Sequence, residues 1–208
     1  MVIKRGEDWG QRILRPDDLL VFDNDVQANV YLTKQFRYSL PVQSIAILKS
    51  NVARSLGLNG SDTNGEKMLK TSFDVLEVEI CGGDGKVSSE CFLGNAVIRN
   101  SWRRGTIIGV FNTAFIAGRD WAPRAHPNDG KLDVLLLDEA MGLRQRLTAY
   151  RLSRSGSHLP HPHFKYLQNQ SYVASDLEGA KLTVDSVEFG KVESCSFRVI
   201  PDAVSIYW

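Results

Sequence analysis

Three histidines within six residues form the densest group of potential metal ligands in the sequence. His158, His161 and His163 are spaced i, i+3 and i, i+5, and imidazole nitrogen is a common ligand of zinc and nickel. Pro160 and Pro162 lie between them, and a residue before proline favours extended backbone, so the three rings do not share one helical face. The spacing therefore predicts an extended segment and does not favour a metal site.

The run Cys81 to Lys86 contains Gly-Gly-Asp-Gly, which has the composition of a phosphate-binding loop. Such a loop follows a strand and opens a helix, so that backbone N–H groups and the helix dipole face the anion. Here a second strand-like run follows, Val87 to Leu93, and Asp-Gly between two such runs is typical of a β-hairpin. No Rossmann-like βαβ unit is predicted before it, and no Walker sequence occurs, so we expect no self-contained nucleotide-binding domain.

A small basic group could contact a phosphate or an acidic lipid head group. Arg103 and Arg104 follow Trp102, and Arg99 lies nearby; guanidinium groups bind such anions with paired hydrogen bonds. Ordinary solvation of a polar surface also explains a group of this size.

The overall composition argues against several classes of protein. Twenty-five basic and twenty-four acidic residues leave a formal charge of +1, so nucleic acid is not an expected partner. Met1 to Trp9 has no apolar segment after its charges, which predicts neither a signal peptide nor a membrane span, and therefore a cytoplasmic location. Cys81, Cys91 and Cys195 are odd in number and form no C-x-x-C pair, so we expect buried or half-buried thiols.

The elements that position these groups are mostly strands. Short β-branched runs separated by Gly, Asn, Asp and Pro predict a mainly β protein, a two-sheet β-sandwich with one covering helix at about 139–154. Residues 50–71 are predicted to be a mobile loop, with a short helix near 66–69. We expect 1–208 to form one domain. The predicted strands are 19–22, 44–48, 75–80, 96–99, 106–111, 132–137, 171–174, 180–184 and 196–200.

From about Gly109 onward the sequence resembles a known family. The motifs are Ala122 to Val134, which contains Asp-Gly-Lys-Leu-Asp-Val, then Gly156 to Pro162, Val184 to Gly190 and Phe197 to Ile206. In order and spacing they are similar to the C-terminal, substrate-side β-sandwich domain of the diacylglycerol kinase, sphingosine kinase and NAD kinase-like superfamily. The resemblance does not extend to the ATP-binding domain, and residues 1–108 match only as generic sandwich strands.

The resemblance implies a Mg²⁺ site at the Asp129 turn, because family members hold the ion there with two carboxylates and a backbone carbonyl. Asp129 and the carbonyl of Lys131 match two ligand positions, whereas His126 occupies the place of the other carboxylate. The alternative is that Asp129 bonds the turn's own amides and holds no ion.

The resemblance also implies catalytic residues at the third motif, where the family has Asp followed by Gly and Glu. Asp185 matches the Asp, but Ser186 and Val187 occupy the next two positions, and Glu188 lies one residue late. A one-residue slip in a strand turns a side chain to the other face unless a bulge restores it. Asp185 and Glu188 are therefore the candidate catalytic residues.

These features lead to two main hypotheses. The first is a non-catalytic ligand-binding or scaffolding module that binds a lipid or another small hydrophobic molecule. The second is the substrate-side subunit of a split diacylglycerol or lipid kinase that needs a separate nucleotide-binding partner protein. A third, an unrelated β-sandwich that carries the Asp129 turn by chance, also remains open. A homodimer is plausible in each case, because an exposed strand edge can pair with a second copy.

Overall fold

A computed structural model describes residues 10–48, 51–55, 67–83, 85–177 and 179–208. In these ranges the chain forms strands and three helices, in the following order. They are β1 Gln11–Leu14, β2 Leu20–Phe22, α1 Asp25–Arg37, β3 Ile45–Ile47, α2 Asn51–Ser55, β4 Lys67–Gly82, β5 Val87–Phe92, β6 Asn95–Arg99, β7 Ile107–Phe111, β8 Phe115–Ile116, β9 Arg119–Asp120, β10 Leu132–Leu137, α3 Leu143–Leu152, β11 Phe164–Asn169, β12 Ser171–Ala174, β13 Ala180–Val184 and β14 Val187–Tyr207.

Twelve strands form one sheet whose main path is β1-β4-β14-β13-β6-β7-β10-β11. Strands β5, β12 and β3 branch from it on β4 and β14, and β8 and β9 form a separate hairpin. Pairing is antiparallel throughout the main path, whereas β3 runs parallel to both β2 and β14. The prediction of a mainly β sandwich with a helix in the second half is confirmed.

The two longest strands connect two hydrophobic cores. Val78 on β4 and Phe197 on β14 belong to the first core, whereas Phe73 on β4 and Ile206 on β14 belong to the second core. Successive side chains of a strand point to opposite faces, and both strands also contain irregularities or bulges in their pairing. Each long strand therefore contributes one half of its length to each core.

Helix α1 was not predicted from the sequence. The side chain of Asn24 accepts a hydrogen bond from the Gln27 backbone N–H at 3.1 Å, and the Gln27 side chain accepts one from the Asp23 N–H at 3.1 Å, which is a reciprocal cap. Ala28 and Leu32 are fully buried against the second core. Strands β2 and β3 flank the helix in parallel, so a short βαβ unit, which was not predicted, precedes Lys86.

Helix α3 has an unusual orientation. It was predicted as a covering helix whose apolar residues are Met141, Leu143, Leu147, Tyr150 and Leu152. Met141, just before the helix, is buried, but the other four side chains are exposed. The buried residues of the helix are Arg146 and Ala149. The helix is present as predicted, but its apolar face points away from the core, because the buried Arg146 guanidinium bonds to backbone carbonyls of the surrounding loops.

The predicted loop at 50–71 is wrong at both ends. Asn51–Ser55 is helix α2, and β4 begins at Lys67, where it pairs with β1 and replaces the short helix predicted near 66–69. The strand forms because β1, which was not predicted, supplies its hydrogen-bonding partner. Residues 56–66 of the predicted loop lie outside the described residues.

The Gly-Gly-Asp-Gly run is a hairpin, as predicted. Strands β4 and β5 pair in antiparallel fashion on either side of it. The N–H of Gly82 donates to the carbonyl of Lys86 at 3.0 Å, and Gly85 has a φ of +73°, which glycine adopts without steric cost. Asp84 itself lies outside the described residues.

The structure also describes the three cysteines and shows whether any helix could span a membrane. Cys91 and Cys195 are buried and Cys81 is half-buried, as predicted, and burial raises the pKa of Cys91 and Cys195 to about 12. Among the helices that the structure describes, none is long and apolar enough to span a membrane.

Candidate functional site

The turn between β13 and β14 carries Asp185, the first candidate catalytic residue. Val184 and Val187 pair across it, and its two central residues have positive φ, 41° at Asp185 and 74° at Ser186. Such values are typical of the two-residue turns that match the twist of a hairpin. The carboxylate of Asp185 points inward and is 4% exposed.

Three hydrogen bonds hold the Asp185 carboxylate in place. Oδ1 accepts from the Asn95 backbone N–H at 2.6 Å, and Oδ2 accepts from the Gly94 N–H at 3.0 Å and from Asn29 Nδ2 at 2.8 Å. Burial raises the pKa of Asp185, and these three donors oppose that rise. A side chain at position 94 would collide with the carboxylate, since an added Cβ would lie 2.3 Å from Oδ1. Asp185 thus joins α1, the β5–β6 turn and the β13–β14 turn.

Glu188, the second candidate, is at the surface. Its carboxylate pairs with Lys181 Nζ at 2.8 Å, and both side chains are more than half exposed. A bulge is present in this hairpin, but it falls after Glu188, which pairs directly with Thr183. The structure therefore does not bring Asp185 and Glu188 together.

Val187 occupies the position at which the resemblance expects the catalytic Glu. It lines a small groove of about 80 Å³ between α1 and the turn, together with Val26 and Val30 of α1. Glu90, which also lines this groove, lies 3.5 Å from Arg37 in an ion pair.

A larger cleft opens beside the same turn. Its volume is about 510 Å³, within the range of small-molecule sites. Alternate residues of β6, β7, β10 and β13 form its floor, while the residues between them, such as Ile98 and Leu182, belong to the first core. The floor and inner wall consist mainly of Asn95, Val97, Ile107, Gly109, Phe111, Leu135, Leu137, Phe164 and Thr183.

Close packing on the floor depends on Gly109. An added Cβ there would lie 2.5 Å from Cε2 of Phe111, so the Phe111 ring lies over the glycine. The pairing of Gly109 with Val97 and Leu135 on the neighbouring strands places this contact in the middle of the floor.

Aromatic rings form the mouth of the cleft. Trp102, Trp121 and Tyr150 contact one another with ring centroids 5.7–6.3 Å apart. The Arg119 guanidinium lies 3.7 Å from the centroid of Tyr150 and donates to the Tyr150 carbonyl at 2.8 Å. Arg99 and Arg119 are the charged side chains among the described residues that line the cleft. The site is thus an apolar cleft with a basic rim.

The Asp129 turn lies elsewhere and is held by backbone contacts. Asp129 Oδ1 accepts from the Lys131 N–H at 3.0 Å, a bond between the aspartate side chain and the turn's own backbone. The Gly130 N–H donates to Asp74 Oδ2 at 2.8 Å. His126 Nδ1 accepts from the Asn128 N–H at 3.3 Å, and burial lowers the pKa of His126.

The three residues of the implied Mg²⁺ site therefore form part of one turn, and Asp74 is a further carboxylate beside it. In the described ranges, no group of three or more His, Cys, Asp and Glu side chains is arranged to hold a metal ion. Mg²⁺ prefers several oxygen ligands in octahedral geometry, whereas His126 offers nitrogen. Binding of Mg²⁺ at this turn stays a prediction.

The comparison with known families decides the ancestry of this fold. The profile of the YegS C-terminal NAD kinase beta sandwich-like domain matches residues 94–208, more than half of the chain. The chain belongs to this family. A comparison with curated proteins gave no match.

Solved structures agree with the YegS C-terminal family on the fold. A structure described as a diacylglycerol kinase from Bacillus anthracis strain Sterne has a TM-score of 0.64 and 13% identity, over 91% of this chain and 77% of that one. A second structure from the same strain, described as a candidate diacylglycerol kinase, has a TM-score of 0.65 and 11% identity over the same shares. These similarities cover most of the chain, and so also include much of residues 1–93.

The histidines in and beside the second family motif, Gly156 to Pro162, make contacts within the protein. His158 is buried, and its Nε2 lies 3.1 Å from the Trp121 carbonyl. Burial lowers its pKa, which favours the neutral ring. His161 Nδ1 accepts from the His163 N–H at 3.2 Å. These contacts attach the link after α3 to the aromatic mouth of the cleft.

Three residues that position the site were not found from the sequence. Asn29 bonds Asp185, Asp74 bonds the Asp129 turn, and Arg146 supports the loop that carries Trp102. A signal existed for the first, because Asn24 followed by Gln27 is a helix-capping pattern that would have placed Asn29 on α1. The sequence contains no comparable local signal for Asp74, whose partner Gly130 is 56 residues away, or for the bonds of Arg146 to Trp102 and Gly105, which are 44 and 41 residues away.

Proposed function

We propose that this chain is a non-catalytic module that binds a lipid or another small hydrophobic molecule in the 510 Å³ cleft. The observation that carries the proposal is the cleft itself, whose floor is apolar and whose mouth is aromatic. Apolar lining with a few polar groups at one end is the usual character of a ligand site. An acyl chain fits this surface better than a polar metabolite does.

The chemistry around the Asp185 turn supports the non-catalytic part of the proposal. A base for phosphoryl transfer must reach the acceptor hydroxyl. Both oxygens of Asp185 already accept hydrogen bonds, Glu188 is paired with Lys181 at the surface, and the position of the family's Glu is Val187. ATP-dependent phosphorylation of diacylglycerol or a sphingoid base by the purified chain alone would contradict this part.

The binding proposal is tested by filling the cleft. Thr183 faces the cleft from β13 and is half-buried, so Thr183→Trp inserts an indole ring into the space for the ligand. We expect lipid extraction and mass spectrometry of the wild-type chain to find a bound acyl molecule, and a fluorescent fatty-acid probe to bind at least about tenfold more weakly to the variant.

Val173→Trp is the matched control, because Val173 is 65% exposed on β12 and outside the cleft. Probe binding should be unchanged in this variant. No co-purified acyl molecule together with no probe binding by the wild-type chain would reject the proposal. Equal binding by both variants would place the ligand outside the cleft.

The alternative function is the substrate-side part of a split diacylglycerol or lipid kinase with a separate nucleotide-binding partner. It is favoured by the similarity to diacylglycerol kinase structures over 91% of the chain, which includes more than the matched domain. It predicts that a nucleotide-binding protein co-purifies and that Asp185→Asn abolishes the activity of the complex. A homodimer and a cytoplasmic location stay predictions.

A further inference from the structure

The outer face of α3 combines exposed apolar side chains with arginines. Leu143, Leu147 and Tyr150 follow an i, i+4, i+7 spacing and so share one face, and they are 41–47% exposed. An ordinary surface helix turns such residues inward, whereas here the inward positions are Arg146 and Ala149.

Five exposed arginines surround this face. Arg144, Arg151 and Arg154 are on or directly after α3. Arg103 and Arg104 are in the loop whose carbonyls, at Trp102 and Gly105, accept hydrogen bonds from Arg146. That loop therefore lies against α3. In the part of the chain that the structure describes, none of the five forms an ion pair.

Two carboxylates lie in the segment before the helix. Asp138 and Glu139 are exposed there, and Asp138 Oδ1 accepts from the Ala140 N–H at 2.7 Å. The combination of apolar side chains at the centre and arginines around them is typical of helices that lie in the interface of an anionic bilayer. Nucleic acid would match the arginines but not the exposed leucines.

We propose that the outer face of α3, defined by Leu143, Leu147 and Tyr150, docks onto an anionic membrane surface. Leucine side chains enter the boundary of the acyl region, and the five arginines contact lipid head groups. Tyr150 belongs to this face and also lines the cleft, so docking brings the mouth of the cleft to the bilayer. The proposal rests on the exposed helix and its charges and does not require that the cleft hold a ligand.

Vesicle flotation tests the proposal directly. We expect the full chain to bind phosphatidylcholine vesicles that contain about 30 mol% phosphatidylserine, to bind vesicles of phosphatidylcholine alone much more weakly, and to dissociate as salt screens the charges. Arg151→Gln with Arg154→Gln should weaken binding to the anionic vesicles by about fivefold per arginine. Leu143→Ser with Leu147→Ser should weaken it by about tenfold or more.

The control is Val30→Ser with Val173→Ser, which removes two apolar side chains that are 67% and 65% exposed on other surfaces. This variant should bind vesicles as the wild type does, and thermal unfolding should show that all variants are folded. Equal binding to neutral and anionic vesicles, no vesicle binding, or unchanged binding by the leucine variant would each overturn the proposal. A dimer detected by light scattering would also overturn the proposal, if the leucine variant abolished that dimer and the wild type bound no vesicles.

Discussion

Asp185 has a structural role that is visible in its hydrogen bonds. Its carboxylate accepts hydrogen bonds from the backbone N–H groups of Gly94 and Asn95 and from the side-chain amide of Asn29. These donors lie in the β5–β6 turn and in α1, which are distant from Asp185 in the chain. A buried donor that loses its acceptor costs free energy. The residue therefore acts as a junction between elements, whatever chemistry its relatives perform.

Replacing Asp185 tests this structural role. Asp185→Ala should lower the free energy of unfolding by about 3 kcal/mol, because three buried donors lose their acceptor. Urea denaturation followed by circular dichroism measures the change. Glu188→Ala is the control in the same hairpin, and its exposed ion pair should contribute less than about 0.5 kcal/mol. Equal effects of the two substitutions would show that Asp185 is not a junction.

Asp133 predicts how stability depends on pH. It is 1% exposed on β10, and Tyr166 and Gln168 are the polar side chains beside its carboxyl that oppose the effect of burial on its pKa. Burial raises the pKa of Asp133 from 3.8 to about 6. Because the folded state binds this proton more tightly, the contribution to stability is complete below pH 3.8 and is lost as the pH rises to about 6.

The loss attributed to Asp133 amounts to roughly 3 kcal/mol. Asp133→Asn cannot ionise, so it should remove this part of the pH dependence and leave the protein more stable than the wild type above pH 6. The measurement is the urea midpoint of both proteins across this pH range. Parallel profiles would show that the buried carboxyl does not titrate in this window.

At the scale of elements, the strands were the most predictable part. The run Leu132 to Leu137 is apolar except for Asp133 and became β10, buried between β7 and β11. Helix α1 was missed because its apolar residues lie on two faces, with Ala28 and Leu32 buried but Val26 and Val30 exposed. Such a helix gives a weak periodic signal, and its position depends on contacts with distant strands.

Helix α3 shows a different limit of sequence patterns. Its apolar spacing correctly predicted a helix, but the side that faces the protein depends on Arg146. Its guanidinium donates to the carbonyls of Met141, Trp102, Gly105 and Asp138. A fork of five N–H donors can replace an apolar contact when the surrounding loops supply acceptors. All four acceptors are in loops before the helix, so the periodicity of the helix itself carries no information about them.

Arg146→Met should therefore destabilise the protein although it places an apolar residue in a buried position. We expect a loss of about 3 kcal/mol, because four carbonyls lose their donor, and a change in tryptophan fluorescence as Trp102 leaves Trp121 and Tyr150. Arg146→Lys should not restore stability, since an ammonium group lacks the planar fork. Arg144→Met, at an exposed position of the same helix, is the control. A stable Arg146→Met protein would contradict this role.

At the scale of the whole molecule, the distribution of charge matters more than its sum. The net charge of +1 predicts no general attraction to polyanions. Nevertheless, arginines concentrate around α3 and the cleft rim, while carboxylates such as Asp74, Asp133 and Asp185 are buried. The surface therefore has a local positive region that the composition does not reveal, because composition contains no information on which charges are buried.

The arrangement of the two cores makes a prediction about cooperativity. Phe73 is fully buried in the core next to α1, and Phe197 is fully buried in the other. Since β4 and β14 run through both cores, neither core can lose its strands without disrupting the other. If residues 1–208 form one cooperative domain, they are expected to unfold in a single transition.

Phe73→Ala and Phe197→Ala should thus each shift one common transition to a lower midpoint. The free energy of unfolding should fall by about 3–5 kcal/mol in each variant. Circular dichroism and tryptophan fluorescence should give the same midpoint for each variant, and Val30→Ala, at an exposed position of α1, should leave it in place. If Phe73→Ala instead gave two separate transitions, the β2–α1–β3 unit would be an independent folding unit. The prediction of one domain for residues 1–208 would then be wrong.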